Sequence, residues 1–270
     1  MNLEHKKRVI SAVVGLVALL AIYFGLGHAG LIVIMVAISA ASYLEFLQFS
    51  GAAGRSRALS LGAGTVLSIW LCCGFPGALE AVYVSALAVL LRGLCRVHQS
   101  GPDHIVSEVQ HSQSRVFGLT YMVVFPSFVT RVHALPHGPS LLLLLIGVIW
   151  LGDIGAYYGG KAFGRNKLSP TISPGKTREG AIAGLVACAL WAAAWGGTSL
   201  GYLPVWKWIV IAVLTSVIAQ AGDLMESLLK RAYAVKDSGG LIPGHGGVFD
   251  RFDSLILAAP FFYLLLSVAT

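Results

Sequence analysis

Pro139-Ser-Leu-Leu-Leu-Leu-Leu-Ile-Gly-Val-Ile-Trp-Leu-Gly-Asp153-Ile-Gly-Ala-Tyr-Tyr-Gly159 is a continuous apolar run interrupted by one carboxylate. A helix crossing a hydrocarbon layer of about 30 Å needs roughly 17–25 residues, and this run supplies them. It does not alternate as a membrane β-barrel strand does. Working outward, similar runs lie near 9–27, 30–49, 58–74, 78–92, 115–132, 180–199, 204–230 and 252–270, making nine spans in all. The third, fourth and fifth are short or rich in glycine. The expected fold is all-α, a polytopic integral membrane protein of about nine transmembrane helices. The longest loops are expected at 93–114, 160–179 and 231–251, too short for a soluble domain.

Composition agrees. Of 270 residues, 56% are hydrophobic and 11% charged, with mean hydropathy +0.78. Soluble domains carry about 45–50% apolar and about 25% charged residues. This excludes a soluble α/β enzyme, a nucleic-acid module and a disordered chain. Net charge is +7. With nine spans and a cytoplasmic N-terminus, 17 of the 19 Lys and Arg fall on the inner side, leaving Arg131 and Lys207 outside. That positive-inside pattern accounts for the basic charge without a nucleic-acid partner. His5-Lys-Lys-Arg8 before an apolar run imitates a signal peptide, but no clear cleavage site follows, so an uncleaved first span is expected. Cys72, Cys73, Cys95 and Cys188 show no metal-binding spacing and read as packing residues. The pairs Gly155/Gly159, Gly160/Gly164 and Gly180/Gly184 suit close helix packing and would permit a homodimer.

There are twelve acidic residues. Glu4, Glu80, Asp103 and Glu108 read as solvated. Glu45, near the cytoplasmic end of the second span, is expected to snorkel or to pair with a basic residue. The other seven fall in the second half: Asp153, Glu179, Asp223, Glu226, Asp237, Asp250 and Asp253. An acid within a span costs about 2.5–3.5 kcal/mol to insert, and function is the usual reason for it. Asp223, Glu226 and Lys230 share one helical face, as do Asp250 and Asp253.

Between these helices runs Gly239-Gly-Leu-Ile-Pro-Gly-His245-Gly-Gly247, with five glycines and one proline in nine residues. Such backbone can curl around an anion and leads into a helix N-terminus. A second polar cluster comprises Lys161, Arg165, Lys167 and Ile172-Ser173-Pro-Gly-Lys176-Thr177-Arg178-Glu179-Gly180. Its Gly-Lys-Thr is not a P-loop: Pro170 stands where a glycine is required, and no preceding strand is expected. Carboxylates beside Lys and Arg at one membrane face suit Mg²⁺ and phosphates. A phosphomonoester is largely dianionic at neutral pH and can itself be a nucleophile. No Ser/His/Asp arrangement calls for covalent catalysis.

Ser227-Leu-Leu-Lys230-Arg231, Lys236-Asp237, Leu241-Ile-Pro-Gly-His245-Gly-Gly and Asp250-Arg251-Phe-Asp253 together resemble the phosphatidate cytidylyltransferase family (CDP-diacylglycerol synthases) over 27 residues. Asp153-Ile-Gly-Ala-Tyr157 and Ile172 to Gly180 extend the resemblance, which covers roughly 140–270. Two positions depart from it: Arg178 stands where the family often has Trp, and Ile154 where it often has a hydroxyl residue.

The resemblance implies that phosphatidate attacks the α-phosphorus of CTP, giving CDP-diacylglycerol and pyrophosphate. It implies catalytic roles for Asp223, Asp250, Lys230 and Arg231. Asp223, Asp250 and, as a weaker third, Asp253 would hold Mg²⁺, with room for a second monovalent or divalent cation. Substrate binding would fall to Lys167, Ser173, Lys176, Thr177, Arg178, Glu179, Lys236, Asp237, His245 and Arg251. Of these, Asp237 would orient Lys236 or Arg231, and Glu179 would pair with Arg178 or act indirectly on the metal. Residues 1–138 are expected to form N-terminal membrane helices and 139–270 the catalytic region of one continuous membrane domain. The expected setting is a bacterial inner membrane with the site at the cytoplasmic face. The rival reading is a cation- or proton-coupled secondary transporter, which predicts charges at the midplane and an internal repeat. The charges instead cluster toward one face and no repeat is found. The acid spacing of a CDP-alcohol phosphotransferase is also not found.

Overall fold

The computed structural model describes residues 3–52, 54–100, 105–242 and 246–269, with side chains except at 3–12, 79 and 97–100. Asp103 and His245 thus lie outside the described residues, as does the side chain of Glu4.

The described elements are α1 (Leu3–Leu26), α2 (His28–Phe49), α3 (Gly54–Cys72), α4 (Ala78–Ser100), α5 (Ile105–Leu119), a π-helical segment (Thr120–Val124), α6 (Phe128–His133), α7 (Gly138–Phe163), β1 (Lys167–Ser169), β2 (Ser173–Thr177), α8 (Arg178–Ser199), α9 (Val205–Ala232) and α10 (Phe249–Ala269). Among the described residues, six stretches are long and apolar enough to cross a membrane: His28–Phe49, Ile105–His133, Gly138–Phe163, Arg178–Ser199, Val205–Ala232 and Phe249–Ala269. Val13–Leu26 is a shorter apolar helix. The regions expected as the third and fourth spans do form α3 and α4. However, α3 carries Arg55 and Arg57, and α4 carries Glu80, Arg92 and Arg96, which dilute their apolar character.

Two expected loops contain regular structure. Most of 93–114 is helix, because α4 continues to Ser100 and α5 starts at Ile105. Within 160–179, β1 and β2 pair antiparallel, with Lys167 opposite Thr177 and Ser169 opposite Ser173. Gly175-Lys176-Thr177 therefore ends a strand, which the sequence reading did not anticipate. The triplet lies inside the strand, and Pro170 still separates it from a P-loop.

Contacts divide the chain into two compact units, Met1–Thr130 with Asp237–Asp250, and Arg131–Lys236 with Arg251–Thr270. The glycine-rich segment thus belongs with the first half of the chain.

In the first unit, Leu31, Ile34, Met35, Ile38, Phe46 and Leu47 bury one side of α2. Gly64 and Gly118 leave room for the rings of Tyr43 and Phe46, where an added Cβ would collide. Phe117 stacks on Tyr121 at 5.3 Å, and Tyr121 meets the buried Phe249 edge-on at 6.2 Å.

In the second unit, α7 and α8 pack along their small residues. An added Cβ at Gly155, Gly159, Gly180 or Gly184 would strike the facing helix. The small-residue spacing is therefore used within the chain, between neighbouring helices. Trp191 and Trp195 stack on each other and donate indole N–H groups to the Leu144 and Ser140 carbonyls at 3.2 and 2.9 Å. Cys188, fully buried, lies 3.0 Å from the Val148 carbonyl oxygen and 3.2 Å from Ser216 Oγ, joining α7, α8 and α9. Lipid tails are as apolar as leucine, so close packing and interhelical hydrogen bonds are what hold such a seam together.

Candidate functional site

In the second unit, Asp223, Glu226 and Asp253 each offer an oxygen, and these oxygens lie within 4.8 Å of one another. Asp223 and Glu226 are three apart on α9, hence on one face. Gly222 brings α10 alongside: a Cβ there would fall 2.8 Å from the Asp253 carbonyl oxygen and 3.3 Å from Ser254 Cα. The helices approach because this position has no side chain, and the approach delivers Asp253 to Asp223. Glu226 is buried and bonded to Lys230 at 2.5 Å, one turn on. Three carboxylates so close repel one another, and this favours a cation among them.

Lys176 comes from β2 and forms an ion pair with Asp223. Around this pair opens a cavity of about 470 Å³, lined in part by Asp153, Lys161, Lys176, Thr177, Gln220 and Asp223. The local folding that presents Lys176 is legible. Thr177 caps α8, its hydroxyl accepting the Gly180 N–H at 3.2 Å. Glu179 accepts the Arg165 N–H at 3.1 Å and the Asn166 side-chain amide at 2.7 Å. Glu179 thus ties the start of α8 to the segment entering β1, and these bonds, rather than a pairing with Arg178, define its surroundings. Within the hairpin Lys167 pairs with Thr177 and Ser173 with Ser169, and Arg178 donates its N–H to the Asn166 carbonyl. Lys167, Ser173 and Arg178 do not line the cavity. Arg231, Lys236 and Arg251 are exposed.

In the first unit, the Asp250 carboxylate accepts the Ser238 and Gly247 N–H groups at 3.1 and 2.9 Å. Asp237 is exposed, its carboxylate facing Gly246. Glu45 is fully buried and does not snorkel, and among the described residues it meets no basic side chain there. It accepts hydrogen bonds from Ser238, Val248 and Phe249.

The grouping of acids differs from the sequence expectation. It contains Asp223 and Asp253 and adds Glu226, whereas Asp250 belongs to the first unit with its carboxylate on backbone N–H groups. The signal for Glu226 was available, since it shares Asp223's face and is apolar-surrounded. Gln220, one turn before Asp223, was missed as a lining residue, and Lys161, placed in the second polar cluster, was given no binding role. Nothing in their local spacing marks them.

Comparison with known proteins places this architecture. The sequence profile of the Cytidylyltransferase family matches residues 6–269. A Haemophilus influenzae protein named phosphatidate cytidylyltransferase is 42% identical over 157 residues, 54% of either chain. Proteins of the same name from Bacillus subtilis and Brucella suis are 44% identical over 132 residues and 45% over 133. These two alignments cover 49% of each chain in the first case, and 48% of this chain and 47% of the relative in the second. The chain therefore aligns with about half the length of the curated relatives it matches. None of these similarities supports a coupled transporter. The profile match runs through the spanning helices, the Lys176 hairpin and the acid cluster alike, and the chain belongs to the cytidylyltransferase family.

Proposed function

We propose that the protein transfers the cytidylyl group of CTP to phosphatidate, producing CDP-diacylglycerol and pyrophosphate for phospholipid synthesis. The observation that carries this reading is the meeting of Lys176 with Asp223 in a cavity beside Glu226 and Asp253. Three anionic oxygens within 4.8 Å fit a hard divalent cation such as Mg²⁺. Asp223, Glu226 and Asp253 would hold it. Asp250 is proposed as a ligand on the sequence motif alone, its carboxylate keeping lone pairs beyond the two N–H groups it accepts. When bound, the cation supplies Lewis-acid neutralisation of phosphate charge.

The chain's own residues bind and orient. Lys176 exchanges Asp223 for a phosphate oxygen, and Lys161 adds a second cation at the cavity wall. Lys230, Arg231, Lys236 and Arg251 serve further phosphate contacts. Lys167, Ser173, Thr177, Arg178 and Glu179 hold the hairpin that presents Lys176. A phosphatidate oxygen attacks the α-phosphorus of CTP in line. The new O–P bond forms as the bond to the bridging oxygen of the β-phosphate breaks, and that electron pair leaves with pyrophosphate. The attacking phosphate is already dianionic, its second pKa being about 6, so no general base is required.

The proposed setting is a bacterial inner membrane, with nine spans, a cytosolic N-terminus and the site on the cytosolic face where CTP is available. Thiol labelling from either side of single cysteines introduced into the loops, after replacement of exposed Cys73 and Cys95, reads that orientation. The reaction itself is tested with purified protein in detergent, labelled CTP and phosphatidate, with and without Mg²⁺. Metal-dependent CDP-diacylglycerol that disappears in Asp223→Asn is expected. Well-folded protein giving no product with any nucleotide triphosphate overturns the reading.

A further inference from the structure

We propose that Glu45 is a positioning residue for this reaction: from α2 it closes the neck of the glycine-rich loop and sets the loop's N–H groups for the phosphates of CTP. The inference rests on the reaction proposed above.

Glu45 Oε1 accepts the Val248 N–H at 2.9 Å. Its Oε2 accepts the Phe249 N–H at 3.0 Å and the Ser238 hydroxyl at 3.0 Å. One carboxylate thus ties the start of the loop to its end. Asp250 repeats the tie from within the segment, through the Ser238 and Gly247 N–H groups. Farther out, Ile242 donates to the Gly246 carbonyl at 3.1 Å, and Gly246 has φ 82°. The clamp uses the N–H groups of Ser238, Gly247, Val248 and Phe249. Among the described residues, those of Gly239, Gly240 and Leu241 donate to no protein acceptor. Three consecutive N–H groups beside a fixed neck are left able to donate to an anion.

The glycines carry the same message. A Cβ at Gly239 would lie 2.6 Å from Glu45 Oε1, and one at Gly247 would strike the Ser238 hydroxyl oxygen and lie 2.5 Å from Glu45 Oε2. Gly240 has open space around it. Gly239 is therefore glycine because the Glu45 carboxylate occupies the place of a side chain, and Gly247 because that carboxylate and the Ser238 hydroxyl bonded to it do. A turn alone makes no such demand. Chemistry also selects a carboxylate. A buried charge is costly unless hydrogen-bonded, and here both oxygens face donors. A glutamine would keep one acceptor oxygen and turn its NH₂ toward an N–H.

The test is steady-state kinetics of the full-length protein in detergent, comparing Glu45→Gln, Glu45→Asp and Gly247→Ala with wild type. Hydrogen exchange is followed over 238–249. Glu45→Gln and Gly247→Ala are expected to raise the KM for CTP by about tenfold or more, with the KM for phosphatidate within about twofold and exchange of 238–249 accelerated. Glu45→Asp, which keeps both acceptor oxygens, is expected to recover part of the CTP affinity. If Glu45→Gln fails to fold, Gly247→Ala carries the same comparison. Variants with a lowered Tm but an unchanged KM for CTP overturn the inference and leave the reaction intact. Wild-type protein inactive toward CTP overturns the reaction, and the inference with it.

Discussion

Lys176 and Asp223 form an ion pair although one lies on a five-residue strand and the other about two-thirds of the way along a 28-residue helix. The pair joins the hairpin to the acid cluster. A group able to bind phosphate is thereby held against oxygens able to bind a cation.

That pairing has a signed consequence. Removing Lys176 takes a competing positive charge from Asp223, so Lys176→Ala should bind divalent metal more tightly while handling CTP worse. The expected result is a lower half-saturating Mg²⁺ concentration, with kcat/KM for CTP reduced by about 10²-fold. Asp223→Asn should move the metal requirement the opposite way. Metal titrations of activity distinguish the two, and parallel shifts in both variants would count against a shared site.

Gly222 sets the separation of α9 and α10 beside the acids. Gly222→Val places atoms against the Asp253 carbonyl, 2.8 Å from an ideal Cβ. Asp253 should be displaced from Asp223, and the half-saturating Mg²⁺ concentration should rise several-fold with helical content unchanged by circular dichroism. An unaltered metal titration would remove Asp253 from the ligand set.

The α7–α8 seam should be sensitive to volume. Gly184→Leu puts a side chain where a Cβ alone already lies 2.8 Å from the Gly152 carbonyl oxygen. Destabilisation of about 1–3 kcal/mol is expected from overpacking, read as a lowered Tm in detergent. Gly62→Ala, on α3 with nothing within 4 Å of the added carbon, should leave Tm unchanged or slightly raised.

Thr177 acts through its hydroxyl. Thr177→Ser keeps the acceptor for Gly180 N–H and should match wild type. Thr177→Val keeps the shape, loses the cap, and should cost about 1 kcal/mol. Because β2 runs directly into α8, kcat/KM for CTP should fall with it. Thermal melts and CTP kinetics on the same preparations check both parts.

Much of this was written in local sequence. The apolar run around Leu141–Leu151 identifies a spanning helix because a bilayer core leaves backbone groups no partner except one another. The faces shared by Asp223, Glu226 and Lys230 follow from the helical period alone. The small residues at 155, 159, 180 and 184 announced a close helix contact. The hairpin at 167–177 escaped notice because its strands are short and bear no apolar alternation.

What only the tertiary structure decided is which residues meet. Local spacing fixes a side chain's direction on its own element, but a partner's approach depends on the whole packing. At Gly222 and Gly239 it is a missing side chain that admits the neighbour. Asp253 reaches Asp223 through Gly222, and Lys176 reaches it from another element. Glu45 shows the limit most clearly. A carboxylate in an apolar helix must find hydrogen-bond donors, and the sequence implied that much. Those donors proved to be Ser238, Val248 and Phe249, because a folded chain satisfies a buried charge with whatever its packing brings within 3 Å.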